Sequence, residues 1–311
     1  MKSAAVLGGS GFIGSACLAT LQAAGWNARA QPAPRLVTSA RSRGQLTDEL
    51  LRHQATIDQL AETLDATDVV INAGGMPAPA AGDSDNLFGA NSLLPAVVAA
   101  AARHAGVHRF IQLSSISVQG RMDPLDETMR HHVHSPYSSS RSLGERILDG
   151  PEHDHAVILR LPGVHGATRS ITRQLGRVAR SPLCSTAGHG DRPTPLALLE
   201  DVCAAVEFLA SYQGEVPKVV LQPTGGITTG RLLELLGGRK PRRIPVSVAK
   251  LVTAGLLLMG RRSAGIHTLG RRIELMWLGQ GQQPSWLTGA GFVSPAGVEG
   301  WATVGRAVNP R

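Results

Sequence analysis

The sequence predicts an α/β fold, a doubly wound parallel sheet carrying a smaller region built from the C-terminal part of the chain. Three observations predict it. Short apolar runs alternate with helical patterns through the first half, the signature of successive βαβ units. The strand candidates are continuously apolar, as suits a sheet covered on both faces. A glycine-rich turn joins the first strand candidate to the first helix candidate.

The elements follow in chain order. Ala4 to Gly8 reads as a strand and Phe12 to Ala24 as a helix. Between Asn27 and Leu64 two strands and two helices are expected. Asn27 to Gln31 is the first of those strands, ended by Pro32-Ala33-Pro34, which cannot supply ladder donors. Thr47 to Leu64 reads mostly helical, so the next strand is short or displaced. DVVIN (Asp68 to Asn72) is a strand, Asn86 to His104 a long alanine-rich helix, and RFIQLS (Arg109 to Ser114) a strand. Pro136 to Leu148 is a helix and AVILRL (Ala156 to Leu161) a strand. Beyond Pro162 the pattern is more irregular, with helices near Leu196 to Ala210, Thr229 to Leu236 and Ser247 to Met259. The expected division is residues 1–162 as a nucleotide-binding unit and 163–311 as a substrate-facing region, with some of its elements returning to the first unit.

Composition narrows the function. At 311 residues with 42% hydrophobic and 17% charged residues the chain is globular, not disordered. Cys17, Cys184 and Cys203 are few and scattered, which argues against a disulfide scaffold and for a reducing, cytoplasmic setting. No glutamate joins a histidine pair at zinc spacing, so no metal is expected. The N-terminal apolar run is broken by glycines and reads as strand, turn and helix, not as a signal peptide. Val246 to Met259 is too short to span a bilayer, which takes about 20 residues, so it is expected to be buried or interfacial and membrane contact is not expected. The net charge of +8 is uneven: from Arg239 to Arg272 nine basic residues occur with no acidic one. Such a stretch suits a diphosphate, nucleic acid or an anionic surface. Nucleic acid is disfavoured, because few aromatics interleave with the charge. His131, His132 and His134 read as an exposed loop, Cys184 as packing, and the C-terminal tryptophans as core or lid contacts.

Gly8-Gly9-Ser10-Gly11-Phe12-Ile13-Gly14 lies between strand and helix. A pyrophosphate there would meet backbone N–H groups at the positive end of a helix, and glycines let it approach. The spacing is GxxGxxG. No Asp or Glu occurs from Ala28 to Gly44, where a carboxylate would hold the free 2′-hydroxyl of NAD. Arg29, Arg35, Arg41 and Arg43 occur instead. A 2′-phosphate wants a cation, so NADP(H) is preferred over NAD(H), with Arg35 the first choice of clamp and Arg41 the second.

Tyr137 and Arg141 lie four apart in YSSSR, on one face of a predicted helix. A cation beside a tyrosine stabilises the phenolate and lowers its pKa. Upstream, Ser114-Ser115 ends the strand RFIQL, and a serine hydroxyl there can hold a substrate oxygen in line with the tyrosine.

With these residues the chain resembles the extended short-chain dehydrogenase/reductases, in particular the NAD(P)-dependent epimerase/dehydratase family. VLGGSGFIG, DVVINAGG, Asn91 in FGANSLLPAV, HRFIQLSSISVQG, SPYSSSR and LRLPGVHG occur in the family's order, and the likeness covers about residues 4 to 210. The resemblance implies a Rossmann-type sheet. It implies Tyr137 as acid/base, Ser115 as its hydroxyl partner and Arg141 in the place of the family's lysine. Gly8, Gly11, Phe12, Ile13 and Gly14 would form the dinucleotide turn. Ala73, Gly74, Asn91, Leu113, Pro162 and Val164 would line the cofactor. Gln119, where the family often has tyrosine, reads as structural.

The implied activity is that of an oxidoreductase or epimerase on a nucleotide-linked sugar or similar hydroxyl or keto substrate. The implied assembly is a homodimer through the helices at 86–104 and 136–148. Dehydration is disfavoured, because Ile116 and Ser117 follow Ser115 where a paired acid would stand. Arginine keeps the lysine's charge and cannot readily release a proton. The alternative is therefore a catalytically impaired protein that binds NADP(H) as a sensor or scaffold.

Overall fold

The computed structural model describes residues 2–77, 82–260 and 263–308. Strand β1 (Ser3–Leu7) is the centre of the N-terminal half, and Ala4 to Leu7 are wholly buried. Successive side chains of a strand point to opposite faces. Ala4 and Val6 therefore join one core, with Cys17 and Leu21 from α1 (Phe12–Ala23). Ala5 and Leu7 join the other, with Leu46 from α2 (Arg43–Arg52) and Ile57 and Leu60 from α3 (Gln54–Thr63). Strands β2 (Asn27–Gln31), β3 (Val69–Asn72), β4 (Arg109–Ser115) and β5 (Ala156–Leu161) extend the sheet. With β9 (Val219–Leu221) the order is β2-β1-β3-β4-β5-β9, parallel throughout. Burying a Val, Leu or Ile side chain contributes about 1.5–3 kcal/mol, and each face of this sheet buries more than a dozen apolar side chains.

Three expectations are corrected. No second strand forms between Gln31 and Leu64. Pro32 and Pro34 have no N–H to give a ladder, and the chain leaves the sheet to pack on α4 (Asp85–Phe88). There the Thr38 amide donates to the Asp85 carbonyl at 3.1 Å. A side chain on Gly89 would fall 1.9 Å from the Leu36 carbonyl, so Gly89 is what admits that crossing. The helix expected from Asn86 to His104 forms without a break, but not as α-helix throughout. It runs as α4, a π-helical turn at Gly89–Leu93, and α5 (Leu94–His104), with Pro95 in the first turn of α5. Thirdly, Leu196 to Leu198 are not helical. They form β8 (Leu196–Leu198), parallel to β6 (Gly163–His165), and α8 (Leu199–Ser211) starts after them with Glu200 and Asp201 in its first turn.

Helix α5 is buried from Leu94 to Ala99 and exposes Arg103 and His104 at its end. Helix α3 packs on it, as does α6 (Pro136–Leu148), whose Ser138, Ser140 and Ser142 to Glu145 are also buried. Much of the helix surface expected to pair two copies is thus covered within the chain. Beyond β6, α7 (Ser170–Arg180), α9 (Thr229–Gly237) and α13 (Gly297–Ala307) enclose a third core around Leu232, Leu233, Leu236 and Trp301. Strands β7 (Ser185–Ala187) and β10 (Arg242–Ile244) pair beside it. They are followed by α10 (Val246–Met259) and α11 (Ala264–Leu278), an antiparallel pair.

Candidate active site

The glycine turn is built by close approach. Gly8 has φ +76°, and a Cβ there would lie 2.7 Å from the Gly74 nitrogen and 2.8 Å from the Ala73 carbonyl carbon. A Cβ on Gly14 would lie 2.2 Å from the Gly8 carbonyl oxygen. Gly8 and Gly14 therefore let β1, α1 and the Ala73–Gly74 segment meet. Gly11 caps α1 without a side-chain bond, and no acidic residue stands in the first turn. Free N–H groups at a positive helix end are a receptor for phosphate. The cradle fits a dinucleotide.

Ser115 ends β4, and its hydroxyl accepts from the Ser117 amide at 3.2 Å. Tyr137 stands in the first turn of α6, which begins with a reciprocal cap between Ser135 and Ser138. One turn on, the Arg141 guanidinium carbon lies 5.6 Å from the centre of the Tyr137 ring. Its Nη1 donates to the Leu113 carbonyl at 3.1 Å, and its buried Nε has no partner. A Cβ on Gly75 would sit 2.4 Å from Arg141 Nη2, so the bare backbone of Gly75 is what makes room for an arginine.

The shell beneath these residues is polar and tightly satisfied. The Asn91 side chain, in the π-helical turn, accepts from the Met76 amide and donates to the Met76 carbonyl and the Ser140 hydroxyl. It therefore acts as a brace between the loop after β3 and α6. Glu145, also on α6, is buried against Arg160 of β5, with the closest contact at 2.7 Å. Glu145 also accepts from Ser114 at 2.5 Å and meets the His131 ring at 2.8 Å. Burial raises the Glu145 carboxyl, but Arg160, His131 and Ser114 outweigh it and hold the pKa below the ordinary value. The His131 ring is 2% exposed, so that histidine is a structural member of the site and not part of an exposed loop. Gln119 is buried and bonded in both directions to Asp126. Burial pushes the Asp126 carboxyl up, and bonds from Thr128, Gln119 and Arg130 bring it down to about 2.

Arg169 was not singled out from the sequence. Its guanidinium lies 4.9 Å from the Phe12 ring centre, at the start of α1, and donates to the Val164 carbonyl. Burial lowers its pKa, and the nearby Tyr137 opposes that shift. Arg169 thus stands within electrostatic reach of the tyrosine. Pro162 and Val164 are buried in the same segment. The two expected clamps differ. Arg41 is bound to Asp83 at 2.9 Å and Asp85 at 2.8 Å, and stacks 3.9 Å from the Phe88 ring centre, which commits it to holding this loop. Arg35 is exposed just past the end of β2.

A cleft of about 520 Å³ opens past the end of the Ser115–Gly120 segment, lined among others by Arg121, Arg192, Lys250, Arg271, Glu274 and Trp277; neither Ser115 nor Tyr137 is among its lining residues. Arg271 and Gln280 both donate to the Gly120 carbonyl at 3.0 Å, tying that loop to α11. Glu145 and Arg160 were the residues sequence reading missed with the clearest signal. A charge inside the apolar strand AVILRL needs a buried partner, and Glu145 follows Arg141 by one helical turn.

A glycine turn at a β1–α1 junction, a serine at the end of β4 and a tyrosine opening α6 define a dinucleotide-binding protein of Rossmann type. Residues 4–221 match the NAD dependent epimerase/dehydratase family, and the chain belongs to it. It is 31% identical over 167 residues to Protein fmp52-2, mitochondrial, of Aspergillus terreus, which covers 53% of this chain and 67% of that one. Among solved structures it is similar to dTDP-4-dehydrorhamnose reductase of Bacillus anthracis in complex with NADP (TM-score 0.61, 14% identity, 98% of each chain). It is also similar to UDP-glucuronic acid 4-epimerase of Bacillus cereus in complex with UDP-glucuronic acid and NAD (TM-score 0.55, 19% identity, 78% of this chain and 86% of that one). These likenesses bear on the fold.

Proposed function

We propose that this protein is an NADP(H)-dependent reductase or epimerase acting on a nucleotide-linked sugar or similar hydroxyl or keto substrate in a reducing compartment. The observation that carries the reading is the packing of Arg141. Its guanidinium is held one turn from Tyr137, between Gly75 and the Leu113 carbonyl, at the end of the strand that presents Ser115. When bound, the nicotinamide dinucleotide supplies or takes up the hydride.

The chain's own residues do the rest. Gly8, Gly11 and Gly14 hold the pyrophosphate against the start of α1, and Arg35 meets the 2′-phosphate. Ser115 hydrogen-bonds the substrate oxygen. Tyr137 passes a proton to that oxygen in reduction and removes it in oxidation, while Arg141 and Arg169 stabilise the phenolate. Arg121, Arg192, Lys250 and Arg271 outnumber Asp123 and Glu274 in the cleft lining, and although Arg192 pairs with Asp123 and Arg121 and Arg271 with Glu274, the excess positive charge suits a diphosphate-linked substrate.

The direct test is a fluorescence titration of the purified protein with NADPH and NADH. Tight NADPH binding with weak NADH binding supports the reading and directs substrate screening to keto-sugar nucleotides. Binding of neither overturns it. The second reading, a binding protein without turnover, rests on Arg141 in the place of the family's lysine, because a guanidinium cannot readily release a proton. Under that reading Arg141→Lys raises turnover strongly from a near-zero baseline, whereas good turnover by the wild-type protein removes it.

A further inference from the structure

Helix α10 is apolar on nearly every side, yet of its fourteen residues Ala249 and Thr253 alone are fully buried. Leu251 is 75% exposed, Leu258 61%, Met259 62%, and Val246, Val248 and Val252 at least 40%. Leu269 of α11 is 51% exposed, and Leu183, in the turn before β7, 83%. Soluble monomers rarely leave contiguous apolar surface of this kind open to water.

The rim of this face is cationic. Arg239, Lys240, Arg242 and Arg243 are exposed immediately before α10, Lys250 is exposed within it, and Arg272 is exposed on α11. β10 pairs with β7, setting Arg242 opposite Ser185. The same basic edge continues to α7, whose Arg177 and Arg180 are exposed and whose last carbonyls accept from Arg239. No acidic residue interrupts the chain between 239 and 272; Arg261 and Arg262 of that run lie outside the described residues. No described helix is long and apolar enough to cross a membrane. α10 is therefore too short to span, and its apolar surface suits a helix lying in the interface. A fourteen-residue helix is about 21 Å long, and an apolar helix with a lysine- and arginine-rich border settles at the headgroup boundary.

We propose that α10, with the basic strand ahead of it, docks this protein on an anionic bilayer surface. Charge selects this occupant over a second copy of the chain, because two such faces would press the same cations together, whereas acidic lipid headgroups neutralise them. Val246 and Lys250 also line the 520 Å³ cleft, so docking brings the cleft mouth next to the lipid surface.

The test is flotation of the full-length protein with vesicles of phosphatidylcholine alone, or with about 30% phosphatidylserine, at low and high salt. The expected result is binding to the anionic vesicles at low salt, at least tenfold weaker on neutral vesicles and at high salt. Leu251→Glu/Leu258→Glu and Arg242→Glu/Arg243→Glu should each lower binding at least tenfold. All four positions are exposed, and unchanged NADPH affinity in both variants shows that the fold is intact. Three outcomes overturn the proposal: wild-type protein that stays lipid-free at low salt, binding that neither variant changes, or sedimentation showing a dimer that Leu251→Glu/Leu258→Glu dissociates.

Discussion

Replacing Gly14 by alanine tests whether the glycine turn is a cofactor cradle or an ordinary turn. The new Cβ would stand 2.2 Å from the Gly8 carbonyl oxygen, 2.7 Å from its carbon and 3.1 Å from the Gly9 nitrogen. All three are backbone atoms, so no side chain can swing aside. An ordinary carbon contact needs at least about 3.4 Å, so the turn must move by about 1 Å. Two effects on stability oppose each other. Alanine improves helix propensity in α1 by about 1 kcal/mol, and overpacking costs about 1–3 kcal/mol. The net loss is therefore small, on the order of 1 kcal/mol. The effect on binding is larger, because a misplacement of about 1 Å at a positioned site can cost about a hundredfold. NADPH titration should show Kd raised ten- to hundredfold, while thermal melting shifts by a few degrees. Gly44→Ala, on α2 with nothing near its would-be Cβ, is the control: it should leave Kd unchanged and raise thermal stability slightly through the same gain in helix propensity. An unchanged Kd in Gly14→Ala would refute the reasoning, since the displaced backbone is the proposed binding surface.

Other perturbations follow from the same geometry. Arg160→Met leaves Glu145 buried without its main cation and should cost about 3–5 kcal/mol in urea unfolding. Arg160→Met/Glu145→Met should recover most of that loss. Burial pulls His153 and His165 down from 6.5 to about 4. The unfolded chain then takes up their protons first, so stability is full above about pH 6.5 and falls as pH drops to about 4. The loss is at most about 3 kcal/mol per histidine, and Asp126, held near 2, extends it to lower pH. Melting curves across that range check the slope. Arg35→Ala should raise Kd for NADPH about tenfold and leave NADH unchanged. Arg41→Ala should alter neither ratio, and cost about 1 kcal/mol of stability through its part-exposed pairs.

The legible parts of this fold are those in which neighbouring residues carry the signal. β2, β5 and α6 have the bounds their sequences imply, because the Pro32 stop after β2, the mainly apolar run of β5 and the Ser135-Pro136 start of α6 are local features. Tyr137 and Arg141 fall on one face because helix period alone places residues four apart together. What escaped depends on contacts between distant segments. The missing strand after Gln31 is absent because Leu36 and Thr38 find partners at Gly89 and Asp85, some fifty residues on. Asn91 braces Met76 and Ser140 from a π-helical turn that no residue pattern marks. Arg169 enters the site because α7 brings it back to Phe12, across most of the sheet's sequence. The double role of the arginines was not separable either: Arg35 and Arg41 look alike until Asp83 and Asp85 are seen beside one of them.

The last strand of the sheet has a consequence for synthesis. β5 is buried along its whole length and apolar but for Arg160, and its outer neighbour β9 lies about sixty residues further on, beyond α8, whose Val202 and Val206 cover the same face. A ribosome adding about 5–20 residues per second takes roughly 3–12 seconds to cover that gap. Through that interval the growing chain presents an unpaired, hydrophobic edge, the kind of surface on which other strands add. Arrest of translation just after residue 162 should leave a nascent chain that protease cuts readily and chaperones hold, and arrest beyond residue 240 should protect it. The maturation of the N-terminal half is thus timed by residues that lie outside it.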